Sequence, residues 1–73
     1  MSTRYRVEIE PLSDSEGGGY LARVPELPGC LSDGATEHEA LDNALKAIEE
    51  WIAHARAHGK DVPLPRMRER HPA

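Results

Sequence analysis

Polar and apolar residues alternate at the start of the chain. Tyr5, Val7 and Ile9 point one way and Arg4, Arg6, Glu8 and Glu10 the other, which predicts a half-buried strand over residues 3–10. Pro11 removes a ladder donor and predicts the end of that strand. Ser13-Asp14-Ser15-Glu16-Gly17-Gly18-Gly19 has the composition of a turn. Tyr20-Leu21-Ala22-Arg23-Val24 then predicts a second strand, antiparallel to the first across that loop. Pro25-Glu26-Leu27-Pro28-Gly29 breaks the pattern. Cys30-Leu31-Ser32 predicts a short third strand, and Asp33-Gly34 a turn after it.

From Thr36 the period changes from two to 3.6. Leu41, Ala44, Leu45, Ile48, Trp51, Ile52 and Ala55 share one face, which predicts a helix over residues 36–58. Thr36 is placed to cap it, and Glu39 three residues on completes a capping box. Glu37 and Glu39 sit at the positive end of the helix dipole. Gly59 suits a left-handed C-terminal cap, with Arg56, His58 and Lys60 near the negative end. Val62-Pro63-Leu64-Pro65 reads as an extended segment that packs Val62 and Leu64 back on the core. The expected organisation is one domain over residues 1–65 and a loose basic tail over 66–73.

Length and charge narrow what such a domain does. A chain of 73 residues buries a thin core, so self-association or a partner is expected to add stability. Cys30 is the only cysteine, which excludes an internal disulfide. The chain has no apolar run long enough to span a bilayer, and Met1-Ser2-Thr3-Arg4 is not followed by a signal-peptide apolar region. A cytoplasmic protein is expected. The net charge is −4, but residues 8–50 hold eleven acids against Arg23 and Lys46, a local balance of −9. Such a body repels nucleic-acid phosphates and suits a basic partner. Arg66, Arg68 and Arg70 in the tail have two readings, a solvated tail or a nucleic-acid contact.

Candidate chemistry is sparse. Three glycines hint at a phosphate cradle, but no strand–loop–helix context or Lys-Ser/Thr accompanies them. His54 and His58 are four apart on the helix with Glu50 one turn earlier, a spacing that can present metal ligands. Their position away from the Leu41, Ile48 and Ile52 stripe favours a solvated face instead. Cys30 has no paired His of recognisable spacing and is read as a small buried residue rather than a nucleophile. Asp33 with Asp14 or Glu16 falls in turn contexts that account for these acids without metal. Trp51 is read as core, with an edge able to anchor a partner. No catalytic, cofactor or metal residue is assigned.

One stretch is distinctive as a whole. Gly19-Tyr20-Leu21-Ala22-x-Val24-Pro25-Glu26-Leu27-Pro28-Gly29-Cys30 is followed by Ser32-Asp33-Gly34-x-Thr36-x-x-Glu39-Ala40-Leu41. It continues with Ala44-Leu45, Ala47-Ile48-Glu49, Trp51-Ile52, Gly59 and Val62-Pro63-Leu64-Pro65. Together with Tyr5, Val7 and Ile9 this resembles the HicB family of type II antitoxins and their stand-alone relatives, across residues 5 to 65. The resemblance implies an α+β fold: a three-stranded antiparallel sheet, one long helix packed across it and a possible short final strand, in the order β-β-β-α-β. That looks like a pared-down ribonuclease H scaffold. It does not imply nuclease activity, because the carboxylate cluster for two metals is not recognisable.

The resemblance further implies that the chain binds a small basic HicA-type toxin, an mRNA-cleaving ribonuclease, and covers its active site. The alternative is a stand-alone oligomeric protein-binding module with no cognate toxin. Longer family members carry a C-terminal DNA-binding domain, so operator binding is not expected from this chain alone. The candidate partner contacts are Tyr20, Arg23, Pro25, Glu26, Leu27, Pro28, Gly29, Cys30 and Asp33. Pro25 and Pro28 stiffen the irregular segment and Gly29 lets it bend. It is either a rigid crossover between strands or a pre-organised docking edge presenting Glu26 and Leu27.

Overall fold

The computed structural model describes residues 5–65. Three strands, β1 (Glu8–Pro11), β2 (Tyr20–Arg23) and β3 (Leu31–Gly34), precede one long helix, α1 (Glu37–Ala57). The strands form an antiparallel sheet in the order β1-β2-β3. The helix lies across one face of that sheet, closest to β3. This is the α+β arrangement that the family resemblance implies, built from the strands and helix that the change of hydrophobic period predicts.

Register decides what each face shows. Ile9 pairs with Ala22 and Ala22 with Ser32, a row that turns toward α1. The flanking rows, Glu8–Arg23–Leu31 and Glu10–Leu21–Asp33, turn away from it. The core divides in two. Ala22, Ala40 and Ala44 are buried at one end, with Val7, Ile9 and Tyr20 packed against them. Val24, Leu27, Cys30 and Ile48 are buried at the other, under Tyr5, Val7, Ala47, Trp51 and Ile52.

The alanine end permits an unusually close approach. A Cβ added to Gly34 would lie 2.5 Å from the Ala40 backbone nitrogen and 2.8 Å from the Glu39 carbonyl carbon. Gly34 is therefore required by helix contact and not by a turn. Gly19 is required twice over: its φ is +76°, and a Cβ there would meet the Gly34 carbonyl oxygen at 2.6 Å.

Several boundaries differ from the sequence pattern. Regular pairing of β1 begins at Glu8 rather than within residues 3–7, and residues 1–4 lie outside the described part. Pro11 ends β1 as predicted, but as its last residue rather than the first beyond it, in a pair without hydrogen bonds opposite Tyr20. Its missing donor faces away from β2, where no strand among the described residues needs it. Asp33-Gly34 is not a turn but the end of β3. Ser13 accompanies a short 3₁₀ turn, Asp14–Glu16, that the loop composition did not distinguish.

The helix ends follow their caps. The Thr36 hydroxyl accepts the Glu39 N–H at 3.1 Å, while the Glu39 carboxylate makes no return bond, so the capping box is half formed. At the other end Lys60 N–H donates to Ala55 O at 2.8 Å and Gly59 N–H to Arg56 O at 3.2 Å. Gly59 has a left-handed φ of +66°, completing a Schellman cap. Leu45, placed on the core face by its spacing, is at that face's margin and 39% exposed. Val62 packs half-buried, but Leu64 is 85% exposed and does not return to the core. The Tyr5 hydroxyl donates to the Pro63 carbonyl and ties this segment beside the start of β1. The continuation expected as a final strand and the 66–73 tail lie outside the described residues.

Two substitutions test this packing. Gly34→Ala is expected to cost about 1–3 kcal/mol through forced separation of α1 from β3. Ile48→Ala, at a fully buried position, is expected to cost about 2–5 kcal/mol. Urea denaturation followed by circular dichroism measures both.

Candidate functional site

The segment between β2 and β3 is a pair of consecutive turns. Leu27 N–H donates to Val24 O at 3.1 Å, and Cys30 N–H to Leu27 O at 3.0 Å. Val24 N–H closes the base of the loop on Cys30 O at 3.1 Å. Leu27 is 1% exposed and Cys30 4%, so both side chains fix the loop from inside. The Trp51 indole N–H donates to the Pro28 carbonyl at 2.9 Å and fastens the loop to α1. The spacing of Trp51 read as core packing; the bond from its edge to the proline segment was not legible without the fold.

The other expected contact residues spread over two surfaces. Tyr20 is half-buried on the helix side of the sheet. Arg23 lies on the opposite side, 3.2 Å from the Glu8 carboxylate across the β1–β2 pair. Arg6 approaches the same carboxylate at 3.8 Å. Such exposed pairs contribute about 0.2–1 kcal/mol and chiefly hold side-chain orientation. Pro25, Pro28 and Gly29 are exposed at the loop, and Asp33 is exposed on β3. Glu26 accepts the Arg6 backbone N–H at 3.5 Å and is half-buried. The nine residues are therefore not one patch. Pro28, Gly29, Cys30 and Asp33 lie along one border of the domain, while Tyr20 and Arg23 occupy opposite faces of the central strand.

That border has features the sequence did not single out. The bond from Val24 N–H to Cys30 O sets the phase of the ladder. Residues 30, 32 and 34 turn their backbone groups to β2, so Leu31 and Asp33 turn theirs to the free edge. The Asn43 side-chain amide reaches from α1 and donates to Asp33 O at 2.8 Å. The outward groups left over are the Leu31 N–H and C=O and the Asp33 N–H. The Leu31 side chain, on the sheet face away from α1, is 54% exposed.

Between this edge and the helix runs an open groove of about 290 Å³. Gly29, Cys30 and Leu31 line one side, and Ala47, Glu50, Trp51 and His54 the other. Burial pushes the Cys30 thiol above its ordinary pKa. His54 and His58 stack with ring centroids 4.2 Å apart, and the His58 Nδ1 bonds the His54 carbonyl oxygen at 2.9 Å. Among the described residues no group of three His, Cys, Asp or Glu is placed to hold a metal, and no helix is long and apolar enough to cross a membrane. The Cys30 environment predicts slow chemistry. Iodoacetamide at about pH 8 should alkylate the folded chain at least roughly tenfold more slowly than the urea-unfolded chain, as read by intact mass.

Comparison with known proteins adds identity to this geometry. A family model described as HicB-like antitoxin of bacterial toxin–antitoxin systems matches residues 5–72. A UPF0150 protein of Synechocystis is 46% identical over 59 residues, covering 81% of this chain and 71% of that protein. A UPF0150 protein of Thermoplasma acidophilum is 36% identical over 58 residues, covering 80% and 84%. Antitoxin HicB 1 of Photorhabdus laumondii is 37% identical over 62 residues, which is 85% of this chain but 38% of that antitoxin. In three dimensions the fold is similar to the crystal structure of TTHA0281 from Thermus thermophilus. The TM-score is 0.69 at 27% identity, over 90% of this chain and 83% of that one.

Proposed function

The chain belongs to the HicB-like antitoxin family of bacterial toxin–antitoxin systems, and we propose that it binds a small basic HicA-type toxin and covers its active site. The observation that carries this reading is where the acids lie. Residues 8–50 hold eleven of them against two bases, and among the described residues no charged side chain is buried. Nine of the eleven acids are exposed, and Glu8 and Glu26 are half-buried, so most of the excess negative charge faces outward. A toxin that grips RNA must present cations to phosphates. An acidic domain competes for those same cations and speeds encounter with them. The work is steric and electrostatic, so no reaction is assigned to the chain, and its place is the cytoplasm, where mRNA is cut.

The exposed members of the expected contact set, Pro25, Pro28, Gly29 and Asp33, belong to the contact surface in this reading. Leu27 and Cys30 contribute by holding the loop in shape, which lowers the ordering cost of association. Arg23 and Tyr20 orient the sheet around it. Leu31 at 54% and Leu45 at 39% exposure favour a second reading, in which copies of the chain associate with one another.

Co-expression with the protein of the adjacent reading frame tests the first reading. Co-elution on size exclusion and rescue of growth are expected, and complex stability should fall as salt rises from about 50 to 500 mM. A wild-type chain that neither co-elutes nor rescues would sink it. Sedimentation equilibrium of the chain alone decides the second, for which a monomer at all accessible concentrations is the contrary result.

A further inference from the structure

Among the described residues the sheet has two edges with no further strand, and they are not equivalent. On β1 the outward positions are Ile9 and Pro11, and Pro11 has no donor to offer. The C-terminal segment is fastened beside the start of the same strand by Tyr5 and Pro63. On β3 the outward Leu31 N–H, Leu31 C=O and Asp33 N–H have no partner among the described residues. Neither proline nor lysine, the usual protections of an edge strand, occurs from Leu31 to Gly34. Asn43 occupies one carbonyl there and leaves the rest of the row open.

The groove beside this edge has a matching chemistry. Glu50 is exposed on its helix wall and forms no ion pair with any described residue. Trp51, half-buried, lines the wall next to it. A cation placed between them meets a carboxylate and an indole together. At about 290 Å³ the groove is at the lower limit of small-molecule pockets, which suits one long side chain better than a free ligand. Arginine fits this pair better than lysine, because its planar guanidinium stacks on an indole and forks onto a carboxylate.

We propose that the free edge of β3 is the docking site of a basic extended segment of the partner protein, which adds as a fourth strand beside β3 and seats an arginine in the groove between Glu50 and Trp51. The occupant follows from charge: Glu50 lines the groove and Asp33 lies on the other face of the same edge strand, both within a stretch of −9. A second copy of this chain would bring those acids against their own kind. The exposed Leu31 supplies the apolar contact on the far face of the extended sheet. This assignment rests on the toxin-binding reading and names the surface that reading uses.

The test uses the full chain and the HicA-type protein of the adjacent reading frame, as a nuclease-inactive variant that cells tolerate. Affinities are measured by calorimetry for the wild type and for Glu50→Lys, Glu49→Lys and Asp33→Pro. Glu49 is exposed but does not line the groove, so Glu49→Lys controls for net charge. Asp33→Pro removes an outward N–H and leaves the bonds to β2 in place. Glu50→Lys and Asp33→Pro should each weaken binding about tenfold or more, and Glu49→Lys by less than about threefold. Melting curves accompany each variant; Glu50→Lys, at an exposed helix position, decides the matter if Asp33→Pro does not fold. Wild-type binding that survives Glu50→Lys, or that Glu49→Lys weakens equally, overturns the groove assignment and leaves toxin binding standing. Asp33→Pro that converts a dimer to a monomer without changing toxin affinity assigns the edge to a second copy and likewise overturns it. No binding by the wild type overturns the toxin reading itself.

Discussion

Helix and sheet touch where their side chains are smallest. Gly34, Ala22, Ala40 and Ala44 let α1 settle onto β3 at backbone distance, and a single Cβ at Gly34 would push it away. The rest of the arrangement depends on that contact. With α1 pressed down near its start, Asn43 is near enough to hold the Asp33 carbonyl. Ile48 fills the space above Val24 and Leu27, and Trp51 reaches the Pro28 carbonyl three turns along the helix from Ala40. The helix is thus fixed against the last strand at one end and against the β2–β3 loop at the other. The border between them stays open as a groove.

A small core makes this placement costly to disturb. Only eight hydrophobic residues are buried among those described, and four of them are alanines, so much of the helix face contributes closeness rather than bulk. Leu27 and Ile48 carry a large share of what bulk there is. The loop that contains Leu27 is therefore structural on its inside and available on its outside. One short segment holds the core together and shapes the surface where the partner is proposed to dock.

Much of the fold was legible because periodicity changes cleanly. The alternation of Tyr5, Val7 and Ile9, the 3.6-residue stripe from Leu41 to Ala55, and the Thr36 and Gly59 caps each follow from local geometry. The candidate site was legible only in part. Asp33-Gly34 has the composition of a turn, yet the pair continues β3 because Gly34 must lie bare against Ala40. No local rule anticipates that contact across the fold. Leu27 looked available in a proline-rich segment, but its apolar side chain turns inward between the two turns. The groove arises from residues separated by about twenty positions, Gly29 to Leu31 and Ala47 to His54. Neither stretch has a distinctive motif for it. Family resemblance pointed to a partner; the ladder phase and helix position carry the proposal of where it docks.

Among the described residues α1 leaves the β3 edge unpaired, the edge proposed to take a basic strand of the partner. Amide hydrogen exchange by NMR addresses it without any substitution. In the free chain the Leu31 and Asp33 amides should exchange much faster than the Ala22 and Val24 amides, which face β3 inside the sheet. On saturation with the inactive basic toxin, both should slow by at least about tenfold while Ala22 and Val24 stay protected. Leu31 and Asp33 amides already protected in the free monomer, or left unprotected in a saturated complex, would contradict the account.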